Sequence, residues 1–181
     1  MGERASRRLD AEALFEYALR VLSARAHSIA ELREKLLRRA ERTQDVPSVL
    51  SRLKQYGYLD DRSFAADFSV SRLENQGLGG RRVLSDLRKR RVAPQVAEKA
   101  VQEAYRGVDE IQLIEAFLRR KYRNTPLNTY LAERKNLAAA YRRLRGAGFS
   151  SGNVISVLKR FAREPELLDS VEERDEEERG S

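Results

Sequence analysis

Cysteine and tryptophan are absent from the 181-residue sequence, which also has only four prolines, one methionine and one histidine. Without cysteine the protein has neither disulfides nor thiolate metal sites, which is compatible with a reducing cytoplasm. Aromatic residues make up 7% of the chain and charged residues 35%. This composition is typical of a well-solvated helical protein rather than of a β-sandwich or a disulfide-rich scaffold.

Long apolar runs are missing as well. No stretch reaches the length of about 20 residues that a membrane-spanning helix requires. The N-terminal sequence MGERASRRLDAEALF lacks the continuous apolar segment of a secretory signal. We therefore expect a soluble, cytoplasmic protein without a membrane segment.

Charge is distributed unevenly along the chain, whose formal net charge is +8. Residues 164–181 contain nine acidic residues and two arginines, a local net charge of −7, which leaves +15 on the other 163 residues. A basic body predicts a polyanionic partner or a protein partner with an acidic surface. The acidic tail has few apolar residues, and we expect it to be disordered or frayed. The alternative is a short helical extension through Leu167, Leu168 and Val171.

Apolar residues recur at helical spacing in nine segments, separated by glycines, prolines and capping residues. Ser28 and Glu31 form the pattern of a capping box, and Gly57 and Gly107 are placed to end helices. The segments predict an all-α protein, an elongated helical repeat of three tandem three-helix modules. The predicted parts are an N-terminal arm at residues 1–9, modules at residues 10–58, 59–107 and 108–163, and the acidic tail at residues 164–181.

The modules align with one another in sequence. The segment LRKRRVAPQVAEKAV, which begins at Leu87, aligns without a gap with LRGAGFSSGNVISVL, which begins at Leu144. In this alignment Val92 matches Phe149, and Leu36 takes the place of Leu87 in the first module. A period of about 50 residues built from three helices is typical of repeat proteins, whose neighbouring units bury what one unit cannot bury alone.

The stretch YGYLDDRSFAADF, residues 56–68, is predicted to join the first module to the second. Gly57 can adopt the left-handed conformation that ends a helix, and Asp60 and Asp61 are suited to capping the next helix. An alternative is that the aspartates contact a partner, whereas a catalytic or metal-binding role lacks further ligands nearby. The predicted joint comprises Tyr56, Gly57, Tyr58, Leu59, Asp60, Asp61 and Phe64.

Clustered arginines are the candidate binding residues. Six of the eleven residues from 81 to 91 are basic and one is acidic, and smaller basic groups stand at similar places in the other modules. Cations at helix C-termini also stabilise the helix dipole by about 0.3–1 kcal/mol each, an alternative that explains part of the pattern. The density of basic residues in the second module favours a surface that binds acidic protein or phosphate. The predicted partner- or DNA-binding residues are Arg81, Arg82, Arg88, Lys89, Arg90, Arg91, Arg38, Arg39, Arg142, Arg143 and Arg145.

The sequence has no pattern typical of catalysis or of cofactor binding. Gly77, Gly79 and Gly80 do not form a phosphate-binding loop, because no strand precedes them and no lysine followed by serine or threonine comes after them. The single histidine, His27, stands beside a predicted helix cap, and we expect it to be exposed or half-packed. We therefore predict a protein that is not an enzyme and has no metal and no cofactor.

Three stretches resemble the RecX family of bacterial recombination regulators. They are LSARAHSIAELREKL from Leu22, YGYLDDRSFAADF from Tyr56 and GLGGRRVLSDLRKRRVAPQVAEKAV from Gly77, and the third module fits more loosely. The resemblance covers residues 11–162. One departure is Arg91, which stands where the family pattern leads us to expect a glycine, and the acidic tail has no counterpart in the family.

The resemblance implies a modulator, most often an inhibitor, of the RecA recombinase. Such proteins resemble a curved tandem of three-helix modules that lies in the groove of the RecA–single-stranded-DNA filament. Bound there, they limit assembly, ATP hydrolysis and strand exchange, and so regulate recombination, DNA repair and the SOS response. We expect a monomer that binds this filament, with single- or double-stranded DNA as a further ligand. The alternatives are a helical module that binds nucleic acid without RecA and an adaptor that recognises a helix of another protein.

Overall fold

The structure, a computed structural model, describes residues 8–162 and Leu168. In this part of the chain the regular elements are helices, accompanied by one isolated bridge between Leu9 and Ala40. The predicted all-α class is confirmed. The helices are α1 (Ala11–Ala24), α2 (Ile29–Arg39), α3 (Asp45–Gln55), α4 (Asp61–Gln76), α5 (Gly80–Lys89), α6 (Pro94–Ala104), α7 (Glu110–Lys121), α8 (Leu127–Leu131), α9 (Arg134–Gly146) and α10 (Ser151–Lys159).

Nine of these helices correspond to the nine segments predicted from the sequence, and they follow one another as three sets of three. The addition is α8, a five-residue helix that begins after Pro126, where the sequence predicted a loose connection. It forms because Leu131 at its end is fully buried against the neighbouring helices. The helical repeat is therefore confirmed, with one short insertion in its third set.

The contacts of the described residues divide the chain into two compact units. The first unit comprises the residues up to Phe68 together with Asp86–Val101, and the second comprises Ser69–Ser85 together with the residues from Gln102 onward. The second module therefore contributes residues to both units.

Each unit has its own apolar core. In the first unit the core includes Leu14, Leu36 and Leu53, all fully buried. In the second unit it is built around Tyr141 and Phe149, and it also contains Leu168 of the predicted tail. The other residues of the tail, and residues 1–7 of the predicted arm, lie outside the described residues.

Local signals set the helix ends. At α2 the Ser28 hydroxyl accepts a hydrogen bond from Glu31 N at 3.1 Å, and the Glu31 carboxylate accepts one from Ser28 N at 3.1 Å, which confirms the capping box. Gly57 and Gly107 both have φ of +74°, a left-handed conformation that carries no Cβ penalty in glycine. The predicted ends of these helices are confirmed.

The second helices of the second and third modules, α5 and α9, end in the same hydrogen-bonded turn. Val92 N donates to the Leu87 carbonyl at 3.2 Å, and Phe149 N donates to the Leu144 carbonyl at 3.3 Å. These are the pairs that the sequence alignment equates. The left-handed position of the turn is a glycine in α9 but Arg91 in α5, with φ of +58°. A side chain in this conformation costs about 1 kcal/mol.

One backbone carbonyl in each module accepts a hydrogen bond from an earlier part of the chain. The residue that carries this carbonyl follows Leu36, Leu87 or Leu144, the aligned leucines of the three modules, by three positions. Leu9 N donates to Arg39 at 2.8 Å, the Ser28 hydroxyl donates to Arg90 at 2.6 Å, and Gly79 N donates to Ala147 at 2.9 Å.

The donors show how successive modules are joined. Ser28 immediately precedes α2 and bonds to the end of α5, and Gly79 immediately precedes α5 and bonds to the end of α9. The beginning of the second helix in one module is therefore joined to the end of the second helix in the following module. The first module has no predecessor, and Leu9 of the predicted arm supplies its hydrogen bond. Arg8 adds hydrogen bonds to the carbonyls of Arg38 and Ala40 at 3.4 and 3.3 Å.

Two glycines allow the backbones to touch in the second unit. A Cβ on Gly79 would lie 2.3 Å from the carbonyl oxygen of Gly148, and a Cβ on Gly148 would lie 2.3 Å from Arg82 N. The sequence indicated a helix stop and start for the glycines near residue 79. The additional reason for Gly79 is this close approach to a segment that is distant in sequence.

The glycine contact can be tested by substitution. We expect Gly79→Ala to lower the free energy of unfolding by about 1–3 kcal/mol, because the added methyl must displace backbone atoms. Gly146→Ala is the matched control: its methyl would meet no neighbouring atom within 4 Å, and alanine should be neutral or stabilise α9 by up to about 1 kcal/mol. Urea unfolding followed by circular dichroism measures both, and equal effects would contradict the close approach.

Candidate basic binding surface

A polar network holds the beginning of α2 in the first unit. Asp61 Oδ1 accepts a hydrogen bond from Ile29 N at 2.8 Å, and Ser28, next to it, is fully buried. Asp60 accepts from Arg62 N at 3.0 Å and from the Ser63 hydroxyl at 3.0 Å. Asp60 therefore caps the helix that follows it, as the sequence predicted. Asp61 differs from that expectation, because its carboxylate serves the N-terminus of α2.

The two neighbouring aspartates are in different electrostatic environments. The hydrogen bond from Arg62 N lowers the pKa of Asp60, because it stabilises the ionised carboxylate. Burial raises the pKa of Asp61, in spite of the hydrogen bond from Ile29 N. Both aspartates are occupied in holding helix ends, which accounts for their presence without a catalytic role.

Arg90 is the predicted binding residue that is most involved in the fold. Its guanidinium lies 2.8 Å from Glu31 Oε1 and 4.9 Å from the centre of the Phe68 ring, and its side chain is 26% exposed. Its carbonyl accepts the hydrogen bond from Ser28 described above. Arg90 thus links α5 to the capping box of α2, and the structure assigns its contacts to folding.

The neighbouring cations are more exposed. Arg91 forms a hydrogen-bonded ion pair with Glu34, which also lies 3.9 Å from Arg38 on the same helix. Arg88 pairs with Glu98 at 3.2 Å. The side chains of Arg38, Arg88 and Arg91 are 77%, 56% and 67% exposed.

Lys89 is exposed between these arginines. The ends of α2 and α5 in the first unit therefore present four cations, three of which share two acids. We call Arg38, Arg88, Lys89 and Arg91 the basic surface.

Two residues beside this surface are buried in part or completely. The Arg39 guanidinium lies 5.2 Å from the centre of the Tyr17 ring, and its Nε is buried without a hydrogen-bond partner among the described residues. His27 is 5% exposed, so the expectation of an exposed or half-packed histidine is wrong. Its Nδ1 lies 2.9 Å from the Arg25 carbonyl oxygen, and Nδ1 therefore carries the proton in this hydrogen bond.

In the second unit the predicted cations surround the contact between Gly79 and Gly148. Arg82 donates to the Gly146 carbonyl at 3.4 Å, and Arg145 donates to the Phe149 carbonyl at 2.8 Å. Arg82 thus donates to the last residue of α9, and Arg145 donates to the segment that follows the helix. Because residues from the second and third modules meet here, tertiary structure brings together cations that are far apart in sequence.

The other cations of the second unit have different surroundings. Arg143 donates to the Tyr122 hydroxyl at 3.2 Å, and Arg81, Arg142 and Arg143 are all exposed. Glu110 lies close enough to Arg81 for the charges to interact. Although burial opposes the change, hydrogen bonds from Ser150, among others, lower the pKa of Glu110.

The acids that organise the cations were missed by the sequence analysis. Glu31 pairs with the partly buried Arg90 and Glu34 pairs with the exposed Arg91, yet neither acid was a predicted site residue. The capping box contained the signal for Glu31. Its second contact, with Arg90, joins residues 59 positions apart and has no local sequence signal.

The predicted joint residues divide into buried and exposed groups. Leu59 and Phe64 are 3% and 7% exposed, and they pack in the first unit. Tyr56 and Tyr58 are 61% and 58% exposed. A role of this stretch as the joint between modules stays a prediction, and its tyrosines are available to solvent.

The described part of the chain has neither a cluster of metal ligands nor a membrane-spanning helix. Residues 8–162 and Leu168 contain no group of three or more histidine, cysteine or acidic side chains placed to hold a metal ion. Among the same residues, no helix combines the length and apolar character needed to cross a bilayer.

Comparisons with known proteins agree on one family. Residues 15–59 match the family model for "RecX, first three-helix domain", and residues 60–101 match the model for "RecX, second three-helix domain". The chain is 33% identical over 144 residues to "Regulatory protein RecX" of Shigella dysenteriae serotype 1, which covers 74% of this chain and 84% of that protein. It is 28% identical over 134 residues to the protein of that name from Syntrophotalea carbinolica, covering 74% and 86% of the two chains.

A solved structure has a similar fold. The crystal structure of RecX from Lactobacillus salivarius matches with a TM-score of 0.62 and 16% sequence identity, covering 83% of this chain and 96% of that one. At this identity the likeness concerns the fold. It supports the all-helical repeat described above.

Removal of Arg90 should destabilise the protein more than removal of its neighbour. We expect Arg90→Ala to lower the free energy of unfolding by about 1–2 kcal/mol, because it breaks the Glu31 ion pair and the contact with Phe68. Lys89→Ala, one residue away and exposed, should change it by less than about 0.5 kcal/mol. Urea titrations of both variants measure the difference, and an unaffected Arg90→Ala protein would refute a structural role.

The buried histidine should make stability depend on pH. Burial lowers the pKa of His27 from 6.5, so the folded protein keeps it neutral while the unfolded chain takes up a proton below that value. Its contribution is therefore present above pH 6.5 and is lost as the pH falls through the lowered pKa of the folded state. Urea unfolding at about pH 7.5 and about pH 5.5 measures the loss. We expect a smaller loss in His27→Asn, whose amide can donate to Arg25 but does not titrate, and equal losses would contradict the assignment.

Proposed function

The chain belongs to the RecX family, and on that premise we propose that it binds the RecA–single-stranded-DNA filament and limits its assembly, ATP hydrolysis and strand exchange. The name of its relatives supports a regulatory role. The observation that carries the proposal for the partner is the basic surface of Arg38, Arg88, Lys89 and Arg91. In this role the protein acts by binding, without catalysis, in the cytoplasm, and it regulates recombination and DNA repair.

Cations of the basic surface pair with Glu34 and Glu98, and they can exchange these acids for acidic groups of a partner. Exposed ion pairs such as that of Arg88 with Glu98 contribute only about 0–1 kcal/mol each. A carboxylate or a phosphate of the filament can therefore replace Glu98 or Glu34 at little cost. Long arginine side chains also provide several donors for bidentate contacts with such groups.

Proximity to the polar network gives this surface a fixed position. Arg91 follows Arg90, whose backbone and side chain are both bonded to α2. Arg38 and Glu34 belong to α2 itself. Arg88, Lys89 and Arg91 therefore stand at the end of α5, which the Ser28 hydroxyl joins to the beginning of α2, and little ordering of the backbone there is required when a partner binds.

Direct binding to nucleic acid without RecA is a second candidate. It is favoured by the net charge of +15 on residues 1–163, which follows from the total of +8 and the −7 of the tail. Four phosphate contacts to single-stranded DNA would give a slope of about −3 in a plot of log affinity against log salt concentration. Weak, salt-sensitive binding to naked DNA alongside tight binding to the filament would reject this candidate.

The filament proposal is tested with a variant in which Arg38, Arg88, Lys89 and Arg91 are replaced by glutamine. Arg90 is left in place because its contacts with Glu31 and Phe68 stabilise the fold beside the surface. We expect about tenfold more of the variant than of the wild type to be needed for half-maximal inhibition of DNA-dependent ATP hydrolysis by RecA.

A charge-matched control separates this surface from net charge. Glutamine at Arg20, Arg42, Arg106 and Arg134, all exposed and outside the basic surface, should leave inhibition within about threefold of the wild type. If the wild type changes neither ATP hydrolysis nor filament length, the proposed function is wrong. If the two variants behave alike, the basic surface is not the contact.

A further inference from the structure

Two tyrosines on either side of Gly57 project at the end of α3. Tyr56 is 61% exposed and Tyr58 is 58% exposed, the largest exposed fractions among the large apolar side chains of the described residues. Their neighbour Leu59 is 3% exposed and belongs to the core. The stretch therefore has two parts: Leu59 belongs to the core of the first unit, whereas most of each tyrosine side chain is open to solvent.

The exposed tyrosines are held in a defined position. Gly57 N donates to the Lys54 carbonyl at 3.0 Å and Tyr58 N donates to the Leu53 carbonyl at 2.9 Å, which fixes the turn. The Tyr56 ring meets the edge of Phe15, with 6.2 Å between the ring centres. A partner would therefore meet a preformed surface, and the entropic cost of ordering it is small.

An arginine completes this aromatic group. The Arg52 guanidinium lies 3.9 Å from the centre of the Phe15 ring and is fixed by Glu12 at 2.7 Å. Tyrosine and arginine are enriched among the residues that dominate the binding energy of protein interfaces. Both residue types are present here on one turn of the chain.

A shallow hollow adjoins the tyrosines through Gly57. Its volume is about 480 Å³, and it is lined by Ile29, Lys54, Gly57, Leu59, Asp60 and Ser63. Apart from Gly57 itself and the two residues next to it, no residue has an atom within 4 Å of the position that a Cβ on Gly57 would take. Ile29 and Leu59 give the hollow an apolar part, and Lys54, Asp60 and Ser63 give it a polar part.

The local charge indicates which class of partner fits. Nucleic acid binds where cations outnumber acids, because affinity comes from neutralising phosphates. Around the tyrosines and the hollow the numbers are equal, so neutralisation of phosphates would supply little affinity there. The cations are Arg52, Lys54 and Arg62, and the acids are Glu12, Asp60 and Asp61.

We propose that Tyr56, Tyr58 and the adjoining hollow, together the tyrosine face, dock a polypeptide segment that inserts a bulky apolar side chain into the hollow. This inference rests on the proposed function, because it assigns the segment to the protein component of the filament rather than to its DNA. The tyrosine face supplies apolar contact area, and the basic surface supplies contacts with acidic groups.

The test compares Tyr56→Ser/Tyr58→Ser with Tyr56→Phe/Tyr58→Phe in the full chain. We expect the serine pair to bind the RecA–single-stranded-DNA filament at least about tenfold more weakly than the wild type, and the phenylalanine pair, which keeps both rings, to stay within about threefold. Binding of all three proteins to the same naked DNA, and their sedimentation, should be unchanged. If the serine pair unfolds, Tyr58→Ser alone, which leaves the contact of Tyr56 with Phe15 intact, replaces it.

Each other outcome overturns the inference. A parallel loss of binding to naked DNA would identify bases as the occupant, and a change in sedimentation would identify a second copy of the chain. If the serine pair binds the filament as tightly as the wild type does, the role of the tyrosine face is refuted and the proposed function is unaffected. Failure of the wild type to bind the filament would remove both.

Discussion

The structure depends on hydrogen bonds to carbonyls at the ends of three helices. A helix leaves its last carbonyls without partners in the helix itself, and an unpaired polar group is costly when buried. The carbonyls of Arg39, Arg90 and Ala147 are each satisfied by a donor from an earlier part of the chain. Because two of those donors begin the corresponding helix of the preceding module, meeting this requirement also joins one module to the next.

The chemistry of the donor differs at each of these contacts, and so does the packing around it. A serine hydroxyl extends from the backbone, and Ser28 can reach Arg90 while it still caps its own helix. The backbone N–H of Gly79 has no such reach, so the two backbone segments must touch, and each of them has a glycine at the contact, Gly79 in one and Gly148 in the other. In the first module the same requirement is met by Leu9, as in repeat proteins whose first unit is closed by a capping segment.

The contact at Arg90 also decides which charges the protein presents. Glu31 is fixed by the capping box and draws the Arg90 guanidinium inward, whereas the left-handed turn at Arg91 directs the chain away and leaves Arg91 with Glu34 at the surface. The resulting basic surface is suited to acidic groups. The tyrosine face in the same unit has balanced charge, so the two surfaces offer different chemistry to a partner.

The sequence by itself determined the helices, their order and the repeat. These features rest on local physics: apolar spacing, the Ser28 cap and the glycine at position 57 act within a few residues of where they stand. It also identified the family, through short stretches of fixed order. The alignment of Leu87 with Leu144 correctly paired the turns that end two equivalent helices.

Only the tertiary structure decided the roles of the individual polar residues. Asp60 and Asp61 are adjacent and chemically identical, yet one caps its own helix and the other caps a helix 32 residues earlier. The arginines at positions 90 and 91 are likewise alike in sequence and opposite in exposure. The physical reason is that hydrogen bonds, ion pairs and burial depend on which distant groups are brought within about 3–4 Å, and no local pattern specifies those groups.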